Sequence, residues 1–339
     1  MSKVFYMFRA LKKVFVISKA DSYYPDKDRK CYFQRLCENF GYLLKYKSVN
    51  DFYLLYGFDI KGTDKSDFID YNVFKRTRER ENKLNSYMRQ IVLVRDKFLF
   101  YKFMKSNNIP VPDVFGVVKN GKLYDTDWNE QPLSYIDNKN NFFLKDAAGE
   151  CASFVKHCHG RRDFEKWLPS LSQNGIYILQ DTLKQHPVMN ELNPYSVNTI
   201  RIVTINKGEK PYVLTALLRV GTKKSGSVDN WAAGGLAIGC TDDGYLKEYG
   251  FYKPIHGTKT NTHPDTNIKF SNFKIPMYEQ VVKLVVEAHK HLYNMHSIGW
   301  DVAISENGPV LIEGNDNWEI SLMQAADRSL KSDWENAIS

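Results

Sequence analysis

The stretch "IGWDVAISENGPVLIEGNDNW", Ile298 to Trp318, decides how this chain is read. Two short apolar runs, Val302 to Ile304 and Val310 to Ile312, flank Glu306-Asn307-Gly308. A three-residue loop with glycine in the left-handed position commonly joins antiparallel strands. Such a loop predicts Ser305 opposite Pro309 and, counting outward, Asp301 opposite Glu313. Asn315, two residues beyond Glu313, then falls on the same face. Directly opposed side chains have Cβ atoms about 4.5–5.5 Å apart, and like charges at that separation repel. Two carboxylates and an amide oxygen gathered there suit a hard divalent cation such as Mg²⁺, which keeps coordination positions open for phosphates. The same spacing also fits the solvent-facing ends of an ordinary hairpin.

The rest of the chain sets the frame. Its 339 residues are enough for two or three packed units, and 43% hydrophobic with 25% charged residues is ordinary for a globular protein. The 21 Tyr and 20 Phe supply a large core. A net charge of +8 favours an anionic partner: nucleotide, acidic sugar, nucleic acid or membrane surface. Five cysteines without CxxC spacing argue against a disulfide framework or zinc site and fit a reducing cytoplasm. His157-Cys158-His159 does not read as a metal cluster, because adjacent residues rarely aim at one ion. No apolar run reaches the length needed to span a membrane. In the N-terminal "MSKVFYMFRALKKVFVISK" the apolar residues are interrupted by Lys3, Arg9, Lys12, Lys13 and Lys19, which breaks up any signal-peptide core. That pattern fits a helix packed on its own domain or a basic helix lying on an anionic membrane.

Residues 1–95 read as a basic, mostly helical domain, with Lys75, Arg76, Arg78 and Arg80 on a solvated face interleaved with Glu79 and Glu81. A helix over 96–106 stops before Pro110 and Pro112. Short strands follow, around "VFGVVKNGKLY", "NNFFLKD", "GIYILQD", "TIRIVTI" and "KPYVLTALLRVG". An irregular stretch is expected from Thr222 to Pro276, then a helix with Pro276 in its first turn and a stripe of Val281, Leu284, Val285, Ala288 and Leu292. The pattern is α+β and largely antiparallel.

"GPVLIEGN" after an acidic residue and a turn resembles the metal-binding end of the ATP-grasp fold, two α+β subdomains with ATP between antiparallel sheets. The resemblance implies that Asp301, Glu313 and Asn315 hold Mg²⁺, two ions, against ATP phosphates. "RDKFLFYKFMKSNNIPVP" resembles the opening of the family's first subdomain and implies Lys97 at the phosphates. "FFLKDAAGECASF" resembles its strand lysine and small-residue loop, implying Lys145 and Gly149 there, although Asp146 stands where proline is common. "YILQDTLKQHPVMNELNPYSVNTIRIVT" resembles the adenine hinge, implying Gln180, Asp181 and Leu183 at the base. Arg201, mid-strand among apolar residues, must pair with an anion or leave the core.

Together with "HPDT" (His263 to Thr266), "SVNTIRIVT" and "LLRVGTKKSGSVDNWAAGGLAIGC", the chain resembles the sugar-transfer-associated branch over 96 to about 325. The domains expected are 1–95, 96–190 and 191–339. Arg201 and Arg219 are expected at the transferring phosphoryl group, Asn230 at the nucleotide, and His263 as a base or acceptor contact. The branch implies a cytoplasmic carboxylate–amine ligase, at the inner face of the membrane where its glycan substrate is membrane-linked. It would use ATP and Mg²⁺ to join a sugar carboxylate to an amine in surface polysaccharide biosynthesis. A kinase and a non-catalytic nucleotide-binding protein are the alternatives, and nucleic acid is not an expected partner.

Overall fold

A computed structural model describes residues 3–85, 87–149, 154–226, 229, 231–254 and 256–339. Asn230, and Cys151, Ala152 and Ser153 of the small-residue loop, lie outside the described residues. The helices are α1 (Lys3–Lys19), α2 (Tyr32–Tyr46), α3 (Tyr71–Leu84), α4 (Val92–Arg95), α5 (Lys97–Ser106), α6 (Arg161–Trp167), α7 (Pro187–Leu192), α8 (Tyr278–His291), α9 (Ile320–Ala326) and α10 (Lys331–Ala337).

The strands form two antiparallel sheets. The first, ordered β3-β2-β1-β6-β4-β5, comprises β1 (Val114–Lys119), β2 (Lys122–Tyr124), β3 (Glu130–Gln131), β4 (Phe142–Asp146), β5 (Val155–Cys158) and β6 (Ile176–Asp181). The second is ordered β11-β10-β9-β8-β7-β12-β13. Its strands are β7 (Thr199–Ile205), β8 (Tyr212–Val220), β9 (Leu236–Cys240), β10 (Leu246–Tyr252), β11 (Lys259–Thr260), β12 (Ser297–Ser305) and β13 (Gly308–Asn315). No helix among the described residues is long and apolar enough to cross a membrane.

Both faces of the second sheet are covered. Ile200, Ile202, Trp300 and Val302 pack with Val281, Leu284 and Val285 of α8. On the other face Val203, Ile205 and Leu217 join Trp318, Ile320, Trp334 and the N-terminal Tyr53, Phe58 and Phe74 in one cluster. Much of the segment 1–95 thus shares a hydrophobic core with the C-terminal sheet. Burial on both faces explains why all nine residues of β12 are buried. Edge-on contacts of Phe74 with Trp318 (4.7 Å between centroids) and Trp334 (4.8 Å) fasten α3 beneath that sheet.

Several local expectations are revised. Arg78 is buried, not on a solvated face, and donates to the Trp318 carbonyl and the Asn317 side chain. The stretch after Thr222 carries β9, β10 and β11. Pro276 lies just outside α8, whose N-cap Met277 adopts a left-handed φ of 55°. Helix α5 begins as expected, with the Asp96 carboxylate accepting from the amides of Phe98 and Leu99, 2.9 Å each.

Candidate functional site

The decisive hairpin forms, with a different turn. Ser305 pairs with Gly308 and Ile304 with Pro309, so the loop has two residues, Glu306 and Asn307, rather than three. A bulge at Ile312 then shifts the register by one, so Asp301 still stands opposite Glu313 and Gly299 opposite Asn315. The bulge belongs to the junction of the two sheets: Leu311 donates its amide to Pro110, 2.8 Å away, and Ile312 helps line a cleft with Val111. His186 and Glu306 exchange backbone hydrogen bonds with Ile304 and Lys184, tying the segment after β6 to the hairpin turn.

That cleft joins the two sheets chemically. Lys97, Lys145 and Gln180 reach it from the first subdomain and Glu313 from the second. Lys145 on β4 donates to the Gln180 side chain at 2.6 Å. Burial lowers the Lys145 ammonium to about 8, with Glu313 pulling it back and Lys97 adding to the fall. Lys97 sends its amide to the Ala147 carbonyl (2.8 Å) and its Nζ to the Gly149 carbonyl (2.5 Å), so it braces the small-residue loop. Asp146 opens that loop by accepting from the Ala148 amide at 3.0 Å, a turn-forming role that proline does not fill. At the end of β6, Asp181 is held by Lys139 at 2.8 Å and its amide by Asp113. Leu183 is half-buried in the extended segment that follows.

On the second sheet Thr199, Arg201, Arg219, Asp301 and Glu313 share one face. Asp301 is 1% exposed and accepts from Arg201 at both oxygens (2.5 and 2.9 Å) and from Arg219 at 2.8 Å. Burial alone would raise its pKa, but the two guanidinium groups hold it well below the carboxylate range. Glu313 behaves oppositely: burial, then the adjacent Asp301 charge, push its carboxyl up to about 7. Burial would lower the pKa of Arg219, but Asp229, Asp301 and Glu313 together raise it. Arg201 and Arg219 are therefore paired with Asp301 rather than facing an open phosphate position.

A divalent cation at this face would meet Glu313, Asn315 and Asp301. Glu313 fits, because a carboxyl whose ionisation is opposed by burial and then by a neighbouring carboxylate is stabilised as an anion by a cation. Asn315 fits too: its Nδ2 donates to the Gly299 carbonyl (3.2 Å) and to the Glu313 carboxylate (3.4 Å), and an amide oxygen is a donor that such a cation takes. Asp301 fits only in part, since both oxygens are shared with arginines. Among the described residues no three His, Cys, Asp or Glu side chains form a metal cluster. Carboxylate and amide oxygens are the donor types that Mg²⁺ prefers.

One expected feature changes role. His263 is fully buried, its Nε2 2.8 Å from the Gly221 carbonyl while Nδ1 accepts from the amides of Asp265 and Thr266. With both nitrogens committed to backbone, it orders a loop and is not a base. Gly235 makes room for the chain itself: a Cβ there would lie 2.6 Å from the Asp229 carbonyl. Asp229 and Thr199, given no role from sequence, adjoin Arg219 here. The Asp229 carboxylate accepts from the Thr199 amide (3.1 Å) and hydroxyl and lies 3.6 Å from Arg219. The signal for Thr199 was its position two residues before Arg201 on the same strand face.

A family model described as sugar-transfer associated ATP-grasp matches residues 163–337. The chain belongs to that family. Among curated proteins none matches it. Solved structures similar to it include the D-alanine–D-alanine ligase from Bacillus anthracis, at 12% identity over 72% of this chain and 63% of that one, TM-score 0.40. Carboxyaminoimidazole ribonucleotide synthase from Aspergillus clavatus complexed with ATP aligns at 12% identity, 67% and 46% coverage and TM-score 0.41. Biotin carboxylase from Campylobacter jejuni aligns at 10%, 68% and 43%, TM-score 0.43. The chain thus spans less than two thirds of each of these proteins.

Proposed function

We propose that this ATP-grasp protein is an ATP-dependent carboxylate–amine ligase acting on a sugar carboxylate. What supports the reading is one observation: Lys145 and Gln180 of one sheet and Glu313 of the other line a single cleft. ATP would lie there, its phosphates at Lys145 and the loop braced by Lys97, its adenine along Gln180 to Leu183. Glu313 and Asn315, joined by Asp301, would hold Mg²⁺, which supplies charge neutralisation at the phosphates. Arg201 and Arg219 bring two further positive charges, and an incoming γ-phosphate competes with Asp301 for them.

A substrate carboxylate oxygen attacks the γ-phosphorus, the bond to the β–γ bridging oxygen breaks, and ADP leaves with an acyl phosphate formed. An amine nitrogen then attacks the acyl carbon and inorganic phosphate departs, giving the amide. The sugar-transfer association of the family supports a uronic acid or similar sugar carboxylate in surface polysaccharide biosynthesis. Hydroxylamine trapping tests this: candidate carboxylates with ATP should yield a hydroxamate and stoichiometric ADP. ADP release with a stable phosphorylated acceptor and no hydroxamate would replace the ligase by a kinase.

A further inference from the structure

We propose that the antiparallel pair α1–α2 is a docking surface for an anionic lipid bilayer. Charge is the first observation. Residues 1–50 hold eleven Lys or Arg against four Asp or Glu, a surplus of seven in a chain whose total is +8. No acidic residue occurs in α1, and Glu38, the acid of α2, is turned toward Tyr53 (2.5 Å), Lys65 (2.6 Å) and Lys30 (3.0 Å).

The second observation is where the apolar residues point. Helix α1 packs through Ala10 and Val14 onto Leu43 of α2. Its opposite face keeps Phe5, Phe8 (70% exposed) and Phe15 in water, spaced with Lys12 and Lys19 along one side of the helix. Helix α2 exposes Phe33 (70%), Phe40 and Leu44, again along one side. Asn39 bonds Ser18 while Leu43 joins Val14, so the helices run antiparallel. At about 100° per residue both exposed stripes follow their packing stripes in the same rotational sense. In an antiparallel pair, stripes so related emerge on one side of the two-helix layer.

A water-facing helix interleaves acids with its bases, and a core helix does not expose three phenylalanines. Aromatic rings with lysines and no acids compose an interfacial helix: the rings enter the acyl boundary while lysine stems carry their ammonium groups to the headgroups. The same charge disfavours a second copy of the chain as occupant, because a two-fold contact would set this positive face against itself. The surface forms a cluster of its own, apart from the nucleotide cleft, so its test is independent of turnover.

Co-sedimentation of the full chain with vesicles tests the proposal. It should pellet with phosphatidylcholine–phosphatidylglycerol vesicles, remain in solution with phosphatidylcholine alone, and detach as salt rises. The double variants Phe8→Ser/Phe33→Ser and Lys12→Glu/Lys19→Glu should each weaken vesicle affinity by at least about tenfold, with helicity and Mg-ATP binding retained. Equal behaviour with both vesicle types, or wild-type binding by both variants, would overturn it. So would a concentration-dependent dimer abolished by Phe8→Ser/Phe33→Ser in a chain that ignores vesicles.

Discussion

Asp301 and Glu313 face each other across β12 and β13, yet replacing each by its amide should move the metal-free stability in opposite directions. Asp301→Asn removes the counter-charge of Arg201 and Arg219, whose side chains are only 13% and 15% exposed. Arg219 keeps Asp229 at 3.6 Å, but leaving a buried group such as Arg201 unpaired costs on the order of 3–5 kcal/mol. Glu313→Gln removes a strained anion instead. A carboxyl raised from 4.5 to about 7 contributes stability that is present below its unfolded value and is lost as pH rises through 7. At about pH 8 the ionised group therefore costs on the order of 1–3 kcal/mol, which glutamine restores. Each kcal/mol moves the melting temperature of a chain this large by about 2 °C.

Calorimetry without metal should show Asp301→Asn melting several degrees below wild type. Glu313→Gln should melt a few degrees above it at about pH 8 and level with it at about pH 5. Added Mg²⁺ should raise the wild type at the higher pH and leave Glu313→Gln unmoved. A shift of the same sign in both variants, or wild-type pH dependence in Glu313→Gln, refutes the reasoning.

Lys145→Ala should weaken ATP binding by about tenfold or more, read by equilibrium titration. Because burial lowers Lys145 to about 8, wild-type affinity should decline as pH rises through that value and the variant's should not. His263→Ala should lower stability by about 1–3 kcal/mol while turnover per folded molecule persists; a large loss of kcat at unchanged stability would restore it as a chemical group. Arg78→Ala should lower the melting temperature and raise the Mg²⁺ requirement, since Arg78 holds Asn317 and Trp318 just beyond Asn315. An unchanged Mg²⁺ requirement would separate α3 from the site.

The hairpin was legible because its chemistry tolerated an error in its geometry. The turn was read one residue too long, and the bulge at Ile312 cancelled the error, keeping Asp301 opposite Glu313. Bulges depend on what the strand meets, here the Pro110 carbonyl, and leave little trace in local sequence. Arg201 stood out because a cation within an apolar strand demands a partner. Which partner was not readable: Asp301 lies a hundred residues from Arg201, and only the β7–β12 register brings them together. His263 misled for a related reason, since a histidine serving backbone amides and one serving a substrate look alike in sequence. The core shared by the N-terminal segment with the C-terminal sheet was hidden because most of its members there, Tyr23, Tyr53, Leu54, Leu55, Phe58 and Ile69, lie in turns and irregular segments that carry no helical or strand period.

Isothermal titration of ATP into the protein with and without Mg²⁺ tests most directly whether one cleft uses groups from both sheets. The account predicts one Mg²⁺-dependent site that is lost in Glu313→Gln and weakened in Lys145→Ala. Equal affinity without the metal, or wild-type binding by both variants, would contradict it.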